Sequence, residues 1–79
     1  MLNSQSLNEE LLSAFVRLIA KHSGIEIRER EQAALSEKIL LRMKSIKLDS
    51  PENYYKLLNS STPNSHKEWK SLMILITNI

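Results

Sequence analysis

The sequence predicts an all-α fold, a compact bundle-like domain of four helices. Two observations carry that expectation. Apolar residues return at steps of three and four along four separate stretches, the period of a helix with one buried face. The breaks between those stretches coincide with the single glycine, with Pro51 and with a cluster of Ser, Asn and Pro. At 79 residues the chain has room for one core, and a chain of this size buries only about 60% of the surface that its unfolded form exposes.

The first helix is expected from about Leu7 to His22, with Leu11, Leu12, Phe15, Leu18 and Ile19 on its apolar face and Ser6 and Glu9 at capping-box spacing. Residues 1–6 ahead of it read as a flexible N-terminus, and 7–79 as the helical domain. Gly24 ends this helix, because glycine takes the left-handed conformation past a last turn without the penalty of a Cβ. Ile25 and Ile27 flank Glu26 in an alternation too short for a sheet, so the stretch reads as a link. The second helix is expected from Glu29 to Ile46, with Leu35, Ile39, Met43 and Ile46 on one face. Ala34 and Leu41 add a stripe beside Lys38 and Arg42 that predicts cover on two sides. Ser50 caps a third helix with Pro51 at its first position, where the missing N–H would be unpaired in any case. Tyr54, Leu57 and Leu58 supply its buried face, and Asn59 to Ser65 reads as a loop. Ser65 and Glu68 repeat the capping-box spacing before a fourth helix faced by Trp69, Leu72, Met73 and Ile76.

Composition excludes several classes of function. The longest apolar run, Leu72 to Ile76, falls far short of the ~20 residues of a membrane helix. Met1 to Ser6 has neither the basic start nor the apolar core of a signal peptide, so a cytoplasmic location is expected. The absence of cysteine removes disulfides, thiolate nucleophiles and Cys-type zinc sites together. The net charge of +2 is uneven: Arg28 to Lys47 carries six basic and three acidic residues, leaving the remainder slightly acidic. Such clustering suits a negatively charged partner surface or, more plainly, a solvated charged face.

Candidate chemistry is thin. His22 and His66 have no further His, Cys or paired carboxylate beside them at ligand spacing, whereas zinc needs three or four convergent ligands. His22 near a helix C-terminus is explained by the dipole when protonated. None of the serines sits in a nucleophile elbow, and one glycine cannot build a phosphate loop. Trp69 and Tyr54 fall at core spacing rather than in a base-stacking platform. Lys38 and Arg42, one turn apart, suit a groove of nucleic acid, but Glu29, Glu31 and Glu37 interrupt the basic stripe, so a nucleic-acid partner is not expected.

Four segments in order carry a family resemblance: FVRLIAKHSGIEI from Phe15 to Ile27, KILLRM from Lys38 to Met43, LDSPENYYKLL from Leu48 to Leu58, and LITNI from Leu75 to Ile79. Together they resemble the N-terminal all-α domain of CheR-type chemotaxis receptor methyltransferases, over nearly the whole chain. The resemblance implies a recognition domain that precedes a Rossmann-like catalytic domain. That second domain, absent from these residues, binds S-adenosylmethionine and esterifies glutamates on the acidic cytoplasmic helices of chemoreceptors. It implies receptor binding by Lys38 and Arg42, which match the basic positions of the family's R-L-x-x-R-L pattern. It further implies cofactor contact by Asn78, which matches the asparagine of a T-N-x-T-x-F-F-R segment. The domain alone would then be inactive, with no cofactor bound to it in isolation. The chain departs from the family at Glu31, where lysine is usual, and at Lys47, where glycine is common. The receptor-facing charge and the freedom of the turn after the second helix are therefore expected to differ.

Two rival functions stay open at the level of sequence. One is a nucleic-acid-binding module using the second helix, which a salt-steep affinity for DNA or RNA would favour. The other is an adaptor that pairs through the apolar stretch Leu72 to Ile79, in which case a charge at Ile74 would abolish dimerisation. The same apolar stretch carries no polar stop, so the chain is expected to continue into something larger.

Overall fold

The computed structural model describes residues 7–78 and contains four α-helices: α1 (Glu9–Ser23), α2 (Gln32–Ser45), α3 (Pro51–Asn59) and α4 (Pro63–Ile76). The expected all-α, four-helix architecture is what the chain adopts. Its core is one cluster in which α1 gives Phe15 and Ile19, the link gives Ile27, α2 gives Leu35, Ile39 and Met43, α3 gives Tyr54 and Leu58, and α4 gives Trp69, Leu72 and Ile76. Phe15 sets the aromatic centre, edge-on to Tyr55 at 5.4 Å and tilted against Tyr54 at 6.1 Å. With no disulfide available, these side chains supply the stability, each fully buried Leu, Ile or Phe contributing about 1.5–3 kcal/mol.

The helix boundaries follow from local hydrogen bonds, and several differ from the sequence expectation. α1 begins at Glu9, not Leu7, because the Asn8 carboxamide oxygen accepts from the Leu11 N–H at 2.7 Å and so serves as the cap. Ser6, the expected cap, and the segment 1–6 that the sequence reads as flexible lie outside the described residues. At the far end Gly24 has φ 79° and donates its N–H to the Ala20 carbonyl, as its sequence position predicts. The link Ile25–Ile27 forms no strand, and Ile27 packs into the core. The expected helix from Glu29 opens as a 3-10 turn, Glu29–Glu31, before α2 proper. There the Glu31 carboxylate accepts the Arg28 N–H at 2.9 Å while its own N–H donates to the Arg28 carbonyl.

α2 stops at Ser45, one residue before the Ile46 that was expected to extend its buried face; Ile46 is exposed. Leu41 is exposed too, so the predicted second covered stripe does not form: α2 turns Leu35, Ile39 and Met43 to the core and leaves Leu41 to solvent. The end is closed by two bonds, Leu48 N–H to Met43 carbonyl and Lys47 N–H to Lys44 carbonyl, with Lys47 at φ 59°. That pairing is a Schellman closure, which requires the left-handed conformation at the position of Lys47.

α3 is capped by Ser50 with Pro51 following, as expected. The loop after it is shorter than the sequence predicts, because α4 starts at Pro63. The Thr62 hydroxyl accepts the Ser65 N–H at 3.1 Å, so Thr62 is the cap, not Ser65. Ser65 and Glu68 are instead buried. The Ser65 hydroxyl and the Trp69 indole N–H both donate to the Leu58 carbonyl, at 3.1 and 2.8 Å. The two bonds satisfy a carbonyl that the end of α3 would otherwise leave without a helical partner, and they fix α4 against α3.

Candidate functional site

α4 packs on α2 and α3, and its two sides present different chemistry. On the α2 side Arg42 forks onto Glu68: Nε donates to Oε2 at 2.8 Å and Nη2 donates to Oε1 at 3.0 Å. The Tyr54 hydroxyl donates to the same Oε2 at 2.5 Å. Glu68 is 5% exposed and the Arg42 side chain 21%. A carboxylate this deep is tolerated because three charge-assisted or polar hydrogen bonds replace its water, and the planar fork of arginine matches a carboxylate in a way lysine does not. The bond to Glu68 raises Arg42 further above its ordinary value, against the lowering effect of burial. Tyr54 is raised far above the usual phenol range, first by burial and then by Glu68, so its hydroxyl remains a donor.

Of the residues singled out in the sequence, Lys38 and Arg42 lie one turn apart on α2 and are both half-buried. Arg42 spends two of its five N–H groups on Glu68. An open depression of about 450 Å³ borders it, with Ile46, Leu57 and Lys67 on the other walls. Asn78 lies apart from this pair, exposed just beyond the C-terminal end of α4, where its side-chain amide donates to the Ile74 carbonyl at 3.3 Å. The ten-residue separation from Glu68 amounts to about 15 Å along the axis at the helical rise.

On the α1 side of α4 the His22 imidazole lies flat on the Trp69 indole, centroids 3.8 Å apart and planes within 5°. His22 is thus a stacking residue at the exposed end of α1. Sequence reasoning missed both this stack and the Arg42–Glu68–Tyr54 network. The signal for the network was present: Glu68 lies one turn before Leu72 and next to Trp69, on the buried face of α4, and it is the only acid in that helix. A capping role for Glu68 hid it.

Among the described residues no group of three or more His, Asp or Glu is placed to hold a metal ion. Each buried side-chain nitrogen and oxygen described has a hydrogen-bond partner. At Asn78 the donor set amounts to one exposed amide turned back on its own helix. No described helix is long and apolar enough to cross a membrane.

The family model described as CheR methyltransferase, all-alpha domain, matches residues 10–77. The chain belongs to this family. No curated protein and no solved structure gives a significant match. Within the CheR all-α domain, the departure at Lys47 has a geometric meaning, since this chain holds a lysine at a left-handed position, φ 59°, where the resemblance leads one to expect glycine often.

Proposed function

We propose that this chain is the substrate-recognition domain of an S-adenosylmethionine-dependent protein-glutamate O-methyltransferase that acts in the cytoplasm on chemoreceptors. The family match over residues 10–77 carries the reading. In this proposal the domain has no activity alone. The methyl donor is held by a catalytic domain that follows it, Asn78 contributes to the cofactor pocket only in that company, and the acidic helices of the receptor dock on α2.

The geometry of α2 supports a division of labour between its two basic residues. Arg42 and Glu68 cancel each other's charge, so Arg42 adds little long-range attraction and acts instead through its remaining N–H groups, held in a fixed direction by the fork. Lys38 has no carboxylate within salt-bridge distance among the described residues and supplies the uncompensated charge. Orientation of the glutamate to be methylated is then most of what this domain contributes, because aligning two reactants removes a large part of a bimolecular barrier.

The test is a titration of the 79-residue chain with a purified receptor cytoplasmic helical bundle at two salt concentrations. Saturable binding that weakens with salt, and by about tenfold in Lys38→Glu, is the expected result. An absence of binding, or equal binding by Lys38→Glu, overturns the docking assignment. A steeper salt dependence and tighter binding to duplex DNA would replace it with nucleic-acid recognition.

A further inference from the structure

α4 carries His66, Lys67, Glu68 and Lys70, and its one acid is turned inward onto Arg42 and Tyr54. What α4 shows to solvent is therefore basic. Beside it α1 ends in Lys21 and His22, both exposed. Two shallow depressions of about 430 and 510 Å³ meet here and share His22, His66 and Trp69 as a common wall. No acidic residue lines either of them. Among the described residues the Arg42–Glu68 bridge is the sole ion pair, so Lys21 and Lys70 have no carboxylate within 4.0 Å. The second depression runs on to Met73 and Ile74, and Ile74 is 66% exposed.

We propose that this α1–α4 face docks an acidic segment of a partner protein, with an apolar anchor of that segment beside Trp69 and Ile74 and its carboxylates on Lys21 and Lys70. Charge complementarity selects the occupant. The negative end of the α1 dipole points into the same region, and Lys21 in its last turn offsets it. A nucleic acid would use the lysines but leave Met73 and Ile74 uncovered. A second copy of the chain would bring the same positive face against this one, and its overall charge is +2. An acidic segment with one large apolar side chain uses both features at once: the apolar contact supplies affinity and the rim charges supply steering. This face is on the opposite side of α4 from Arg42, so it is separate from the receptor contact proposed on α2.

The experiment titrates the full 79-residue chain with a short synthetic peptide of Asp and Glu around a single Leu-Phe pair, read by Trp69 fluorescence and by backbone amide shifts. Trp69 is the only tryptophan, so the optical signal reports this face alone. Saturable shifts confined to the end of α1 and to α4 are expected. Lys70→Glu and Ile74→Glu should each weaken binding about tenfold, Lys44→Glu on the exposed side of α2 by less than about twofold, and a peptide lacking Leu-Phe should bind about tenfold more weakly. Ile74→Ser serves as a second variant if Ile74→Glu loses its helical circular dichroism. Several results overturn the proposal: no saturable shift, equal damage from Lys44→Glu and Lys70→Glu, indifference to both changes at Ile74, tighter binding of a single-stranded oligonucleotide at the same amides, or shifts at this face that arise from self-association and vanish on dilution.

Discussion

Glu68 and Trp69 are consecutive residues, each only 5% exposed, yet they serve different sides of α4. Successive helical positions are about 100° apart, so one points at α2 and the other lies between α3, whose Leu58 carbonyl takes its N–H, and the end of α1. On the Glu68 side the buried carboxylate and the Tyr54 hydroxyl are paired and the charges of Arg42 and Glu68 cancel. On the Trp69 side the indole N–H is used internally on Leu58, while the ring is covered by an exposed imidazole and bordered by lysines and apolar side chains. Equal burial therefore hides unequal roles. The first side ties elements together; the second closes the core and leaves a surface with unmatched charge.

Removal of Glu68 should have the largest effect on stability. Glu68→Ala leaves Arg42 partly buried without its counter-charge and the Tyr54 hydroxyl buried without an acceptor. Loss of one partner of a buried pair costs about 3–5 kcal/mol, and the 21% exposure of Arg42 places the expected loss toward the lower figure. Urea unfolding measures it. Glu68→Gln should recover part of the loss, since the amide keeps an acceptor for either partner. A cost below about 1 kcal/mol for Glu68→Ala would mean that the network is not what holds α2 on α4.

Next in size is Tyr54→Phe, which deletes one hydrogen bond to an ionised acceptor and keeps the ring packed on Phe15. A loss of about 1.5–3 kcal/mol is expected, less than for Glu68→Ala because Arg42 remains paired. The same variant has a signature in pH. Burial and Glu68 hold the Tyr54 proton far above the usual phenol range. The stabilisation it gives is complete below about pH 10, where the unfolded chain also keeps that proton, and is lost as pH rises beyond it. The slope reaches up to about 1.4 kcal/mol per pH unit. Tyr54→Phe should remove this slope, and an unchanged alkaline slope in the variant would assign it to another group.

How much of this was legible in the sequence depends on the range of the interaction. Periodicity located all four helices, and Gly24, Ser50 and Pro51 marked their ends because each acts within a turn of itself. Asn8 and Thr62 were misread in favour of Ser6 and Ser65 because several Ser, Thr and Asn compete near each helix start, and the choice falls to whichever side chain meets an N–H. The Arg42–Glu68 fork joins residues 26 apart, and no local pattern states which of several basic residues an inward acid will meet. The His22–Trp69 stack likewise depends on how α1 ends over α4. Lys47 stands between these cases: the Gly-to-Lys departure was visible, but its consequence needed the observed φ of 59°. Lys47→Gly should therefore stabilise the chain by about 1 kcal/mol, the usual penalty of a left-handed side chain, seen as a raised urea midpoint at unchanged slope.

The Trp69 side of α4 should respond least to substitution. His22→Ala removes a ring stacked on Trp69, an interaction of about 0.5–1.5 kcal/mol. Alanine is the better helix former by up to about 0.7 kcal/mol, which offsets much of the loss in the last turn of α1. The net change in stability should stay within about 0.5 kcal/mol, while Trp69 emission shifts as solvent reaches the uncovered face of the indole. The two readouts then separate: fluorescence moves and the unfolding midpoint does not. A loss as large as that of Tyr54→Phe would show that the stack holds α1 on α4 as firmly as the ionic network holds α2. The two sides of α4 would then differ in chemistry alone and not in structural weight.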